Sequence, residues 1–185
     1  IHRADGPGPF QRTALSLLPA GWLAGLPGKV ISGLHVDVLA MPEPAPVGDS
    51  LRHHFEGHRL ISSWVDDRKA RLWTAYRIHN DGLGRVLVLN RGLNPCQLGR
   101  LVRRLLELET YRIMALRGLP VAKDLSAMLG ESENQLAEIT AEMENTEASD
   151  QDLLNQLIGL AARVERATAK HMYRFSATEA YHNLV

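Results

Sequence analysis

Apolar and polar residues alternate with a period of two through the first half of the chain, then with a period of three to four. Val30 to Met41 alternates well enough for a strand and is stopped by Pro42, Pro44 and Pro46, a rigid surface loop rather than a recognised proline-rich ligand. Leu60 to Val65, Arg71 to His79 and Arg85 to Asn90 follow as three more strands. The first two are joined by the polar turn Asp66–Lys69, and the last two by Asn80, Asp81 and Gly82, residue types that tolerate positive φ. Turns this short predict an antiparallel meander. Before the strands, residues 1–28 are rich in Gly and Pro around Leu15, Leu17, Leu18, Trp22, Leu23 and Leu26. This composition predicts one or two short helical turns packed on the sheet.

The period changes at Asn94-Pro95, where Asn suits an N-cap and Pro the first helical position. Leu98, Leu101, Val102, Leu105, Leu106, Leu108, Ile113 and Leu116 then recur on one broad helical face, and Gly118 and Pro120 stop it. Two further helices are predicted over Val121–Asn145 and Ser149–Tyr173, with helical character persisting from Thr178 to Leu184. Leu129, Leu136, Ile139 and Met143 mark the seam of the first; Leu153, Leu157, Leu160 and Val164 mark that of the second. Spacings of three and four predict an antiparallel hairpin closing at Asn145–Ser149. That register sets Glu131, Glu133 and Glu138 alongside Arg163, Arg166 and Lys170, and Ser149 with Asp152 forms a candidate capping pair. The expected class is α+β, an antiparallel sheet of about four strands followed by long amphipathic helices. Residues 1–92 form a mainly β subdomain and residues 93–185 a helical region.

Composition narrows the function more than it defines it. The chain has 185 residues and a formal net charge of zero, so no global field draws it to nucleic acid or an anionic membrane. The single cysteine excludes an internal disulfide and fits a reducing compartment. No apolar run approaches the roughly 20 residues that cross a bilayer. The chain opens without methionine and ends within a helical pattern, so we expect a piece of a longer protein.

Candidate chemistry is sparse. Arg77, His79, Asp81 and Arg85 gather at the predicted hairpin tip, with Arg77 and His79 on one face of their strand. They are the candidate ligand-binding residues, since a His–Asp pair with two arginines can hold an anion or orient a proton-transfer group. A solvated tip shaped by Asp81 accounts for them equally simply and outweighs it. His53, His54 and His58 are the densest histidine group, and on a helix His54 and His58 share a side as metal ligands do. Gly57 interrupts that helix, so exposed loop histidines are favoured and no metal or cofactor is expected. Glu107 and Glu109 are two residues apart on a helix and point in different directions. With Tyr111 and Arg112 nearby, one is expected to face solvent and the other to make a buried or interfacial salt bridge. Arg100, Arg103 and Arg104 lack the interleaved aromatics of a nucleic-acid surface, and Glu107 balances them. Cys96 has no evident histidine partner for catalysis. P-loop, G-x-G-x-x-G, G-x-S-x-G and paired CxxC motifs are all absent.

WTAYRIHNDGLGRVLV (Trp73–Val88), QLGRLVRRLLELETYRIMAL (Gln97–Leu116), LPVAKDL (Leu119–Leu125) and RFSATEAYHNLV (Arg174–Val185) together resemble a bacterial family. It is the domain-of-unknown-function family numbered 3422, described as predicted membrane-anchored proteins. The resemblance covers the chain from about Leu60 onward. It implies a longer parent with a short preceding piece, a further helical segment and a C-terminal apolar anchor, but no activity. Cys96 after the helix-starting proline and Arg117 in place of an aliphatic depart from the pattern and bear on local packing. A sheet feeding long helices also resembles the cytosolic domains of CorA-type magnesium channels, in architecture alone.

The expectation is therefore a non-catalytic, soluble portion of a membrane-associated protein, on the cytoplasmic side. It would work through helix-mediated homo-oligomerisation or a protein partner, with no nucleic acid involved. The alternatives are an ion- or small-anion-responsive domain and an enzyme with an unrecognised site near His79 and Asp81.

Overall fold

A computed structural model describes residues 8–144 and 149–185. They form two compact units, Ile1–Thr110 and Tyr111–Val185.

The first unit is built on four strands, β1 (Leu34–Ala40), β2 (Ile61–Val65), β3 (Ala70–Thr74) and β4 (Gly84–Asn90), in the spatial order β1-β4-β3-β2. β2, β3 and β4 are the expected antiparallel meander. β1, however, lies parallel to β4, with Leu34 opposite Gly84 and Ala40 opposite Asn90. The sheet is thus mixed rather than antiparallel. The cause is the connection of residues 41–60. It is long enough to cross a face of the sheet, so β2 starts at the far edge in the direction of β1. A helical turn, α1 (Gly48–Leu51), and a 3-10 turn (Arg52–Phe55) lie on this crossing.

β4 is the central strand, and its side chains separate two cores. Leu87 and Leu89 pack with Leu51, Phe55, Trp73 and Ala75 on the crossover face. Val86 and Val88 pack with Ala70, Leu93 and Leu98 on the other, with Leu101 and Leu105 beside them. A strand buried on both faces needs a continuous apolar run, and Val86, Leu87, Val88 and Leu89 supply one. The helix on this second face is α2 (Pro95–Leu116). Its start is a capping box: Asn94 Oδ1 accepts from the Gln97 N–H (2.9 Å), and Gln97 Oε1 accepts from the Asn94 N–H (3.0 Å).

β3 stops at Thr74, five residues short of His79. Tyr76 adopts a left-handed backbone (φ 49°). The Thr74 hydroxyl accepts from the Tyr76 N–H and donates to the Arg85 carbonyl, ending the ladder. Arg77 and His79 therefore do not share a strand face. Near the N-terminus the predicted helical turn exists (Ala14–Leu17). Leu17, Trp22, Leu23 and Leu26 are exposed rather than packed away.

The second unit is dominated by α3 (Leu119–Met143) and α4 (Asp150–His182). α4 runs nine residues beyond the expected Tyr173. Residues 145–148, where the hairpin was expected to close, lie outside the described residues. Ser149 occupies the N-cap of α4, but its side chain makes no capping bond. The α4 seam is as expected, with Leu153 and Leu160 buried and Leu157 packed beside them. The α3 seam is not. Its less exposed positions are Val121, Leu125, Met128, Ser132, Gln135 and Ile139, at spacings alternating four and three. Leu129, Leu136 and Met143 are 44, 46 and 62 % exposed. Arg163 donates to Ser132 Oγ (3.2 Å) inside this seam. Among the described residues no ion pair joins Glu131, Glu133 or Glu138 to Arg163, Arg166 or Lys170. The acidic groups, Arg166 and Lys170 are exposed, where fixing long side chains costs about what the pairing returns. Gly118 does not cap α2 in a left-handed conformation; it stays right-handed (φ −75°, ψ −22°). No helix among the described residues is long and apolar enough to cross a membrane.

Candidate functional site

The polar residues of the first unit converge where the crossover meets the loop before β4. The 3-10 turn ends at Phe55, and Glu56 (φ 55°) and Gly57 (φ 79°) both take left-handed conformations. Gly is at ease there, whereas Glu pays the Cβ penalty. The turn is closed by bonds from the Gly57 N–H to the Arg52 carbonyl and from the His58 N–H to the Phe55 carbonyl (both 3.0 Å). His54 and His58 therefore do not share a helix face. Instead, the reversal turns Glu56 and His58 toward His79.

The loop side is held by a bond from the Gly82 N–H to the His79 carbonyl (2.8 Å) and by Asp81 Oδ1, which accepts from the Leu83 N–H (3.1 Å). This second bond is an Asx turn, the role foreseen for Asp81. Arg85 is the hub. It lies 3.2 Å from Asp81 Oδ2 and 3.5 Å from Glu56 Oε1, and donates to the His54 carbonyl (2.8 Å). His35 Nε2 approaches Asp81 at 3.4 Å. Glu56 also accepts from the Asn80 N–H at 3.2 and 3.3 Å.

His79 is the unusual member. Its side chain is fully buried (0 % exposed), and its Nδ1 lies 3.5 Å from Glu56 Oε2. That is beyond a well-formed hydrogen bond, and among the described residues neither ring nitrogen has a hydrogen-bond partner. Phe55 and His58 flank the ring, at 6.1 and 5.6 Å between centroids. Burial lowers the His79 pKa, Arg85 and His58 add to this, and Glu56 opposes it. His54 is lowered by burial, by His53 and by Arg85. For Asp81, burial pushes upward but is outweighed by the Leu83 N–H, Arg85 and His35, so its carboxyl sits below the usual value.

Of the residues singled out from sequence, His79, Asp81 and Arg85 come together. Arg77 is exposed, with no hydrogen bond or ion pair to them among the described residues. Glu56 and His35 were missed because each lies more than 20 positions from the loop in sequence. The left-handed Glu56-Gly57 step was the one local signal for a reversal. Elsewhere Glu107 pairs with Arg103 (2.8 Å) at the surface, Glu109 is buried and Cys96 is exposed. A cavity lined by Thr74, Gly84, Leu105 and Glu109 has a volume of about 70 Å³.

A family model described as "Protein of unknown function (DUF3422)" matches residues 1–185. No curated protein and no solved structure matches the chain.

Proposed function

The chain belongs to the DUF3422 family, and we propose that it is a non-catalytic association module whose helical unit pairs with a second copy of itself. One observation carries this: each helix of the second unit has a second apolar stripe beside its packed seam. Leu129, Leu136 and Met143 on α3 follow each other every seven residues, each one position after a seam residue or its continuation. Leu154, Ile158, Met172 and Phe175 occupy the same offset on α4, and they are 50, 58, 62 and 37 % exposed. In an antiparallel pair, equivalent flanking positions border the same groove. Leu129, Met172 and Phe175 do line one, with Leu125 and Val164 at its base.

Charge argues for a second copy as the occupant. From Glu131 to Glu142, α3 carries four glutamates and no cation; Arg163 to Arg174 of α4 carries three arginines and a lysine against Glu165. Two-fold pairing of hairpins sets each acidic stretch against the basic stretch of the other copy and builds a four-helix bundle. Membrane attachment enters this proposal through the family resemblance alone. Fractionation of the full gene product tests it, and recovery wholly in the soluble fraction would remove it.

Light scattering on the 185-residue chain tests the association. The expected result is a dimer that Leu136→Lys converts to a monomer with unchanged far-UV circular dichroism. A monomer at every soluble concentration, or a dimer indifferent to Leu136→Lys and Met172→Lys alike, overturns it.

A further inference from the structure

The geometry points to a site for a single divalent transition-metal ion, Zn2+ in class, held by Glu56, His58 and His79. One donor atom from each lies within 4.8 Å of the others. Ligands on a tetrahedral Zn2+ at about 2.0–2.1 Å stand roughly 3.3 Å apart, so closure needs side-chain rotation of an ångström or so. Glu56 and His58 lie on the outer side of the site and can supply it, one exposed and the other partly so.

The second observation is His79. A buried imidazole ordinarily has its ring N–H paired, because a bare buried donor forfeits its bond to water and gains nothing in return. Here neither nitrogen has a hydrogen-bond partner among the described residues, on a side chain with no exposure, and one faces the Glu56 carboxylate. A metal ion would take up that lone pair. The carboxylate is already held: the Asn80 N–H lies 3.2 and 3.3 Å from Oε1 and Oε2, and Arg85 lies 3.5 Å from Oε1. Such outer contacts orient a metal-binding carboxylate.

Two imidazoles and one carboxylate suit Zn2+ and its neighbours in the transition series. Ca2+ and Mg2+ need more oxygens. With three protein ligands the fourth position falls to water. The ion would clip the crossover turn to the loop before β4, two segments held together at this point by contacts to Arg85 and Asn80.

The test is isothermal titration of the chelator-stripped 185-residue chain with Zn2+. One ion per chain is expected. His58→Ala and Glu56→Gln should each weaken binding by more than about tenfold, the size of loss seen when even an outer contact to a metal site is removed. His79→Ala also takes a ring from beside Phe55, so the two outer variants decide the matter, each with unchanged circular dichroism. His53→Ala removes an exposed imidazole outside the triad and should bind as the parent does. No Zn2+ binding by the folded parent overturns the site. So does His58→Ala binding unchanged, or His53→Ala losing as much as His58→Ala, which would mean scattered surface histidines.

Discussion

Gly118 shows how one residue can serve a purpose other than the one its type suggests. A glycine followed by Leu-Pro reads as a left-handed helix stop, yet its backbone is right-handed and any residue could adopt it. What demands glycine is space. A Cβ there would stand 2.5 Å from Thr178 Oγ1 and 3.2 Å from its methyl. Thr178 cannot easily turn away, because its hydroxyl donates to the Arg174 carbonyl (2.9 Å). Gly118→Ala should therefore lower stability by about 1–3 kcal/mol, the usual cost of overpacking. In a Thr178→Ala background the same change should be neutral or stabilising, since replacing a glycine whose backbone is already right-handed stabilises by about 0.4–1 kcal/mol through the unfolded chain. Urea denaturation of the four proteins of this cycle measures the coupling. Equal effects of Gly118→Ala in both backgrounds would refute the steric account.

At the scale of elements, features set by neighbouring residues were legible and features set by distant ones were not. The presence of four strands, the polar turn at Asp66–Lys69 and the start of α2 follow from local chemistry, whereas the end of β3 at Thr74 does not. Asn94 makes this quantitative. Its side chain caps the helix reciprocally with Gln97, so Asn94→Ala should cost about 1 kcal/mol, seen as a lower urea midpoint at unchanged slope. A loss within error would mean that water caps the helix as well as Asn94 does. The parallel pairing of β1 was hidden because it depends on where residues 41–60 cross, not on the pattern of β1. The α3 seam was hidden for another reason: two heptad stripes lie side by side there. Leu129, Leu136 and Met143 are the more apolar stripe, while the packed one includes Ser132 and Gln135. Apolarity alone selects the wrong one. The candidate site shares both traits. Asp81, Arg85 and His79 could be grouped through the turn, but Glu56 and His58 join them only through the crossover.

For the molecule as a whole, the two units make separable predictions because nature has labelled one of them. Tryptophan occurs three times, at positions 22, 64 and 73, all within Ile1–Thr110. Trp73 is buried, with the Arg71 guanidinium 4.2 Å above its ring. Its fluorescence should report loss of the sheet core. Far-UV circular dichroism is weighted toward α3 and α4, whose 25 and 33 residues exceed the 22 of α2. If the helical unit pairs with a second copy, mass action stabilises it as concentration rises and leaves a monomeric unit untouched. The helical melting midpoint should then climb with protein concentration while the tryptophan midpoint stays fixed. Adding Zn2+ should act the other way round, raising the tryptophan transition through the triad in the sheet unit. Leu136→Lys should abolish the first dependence and spare the second, and His58→Ala the reverse. Midpoints that move together under both treatments would show that the chain unfolds as one cooperative body, and the assignment of association and metal to different units would then have to be abandoned.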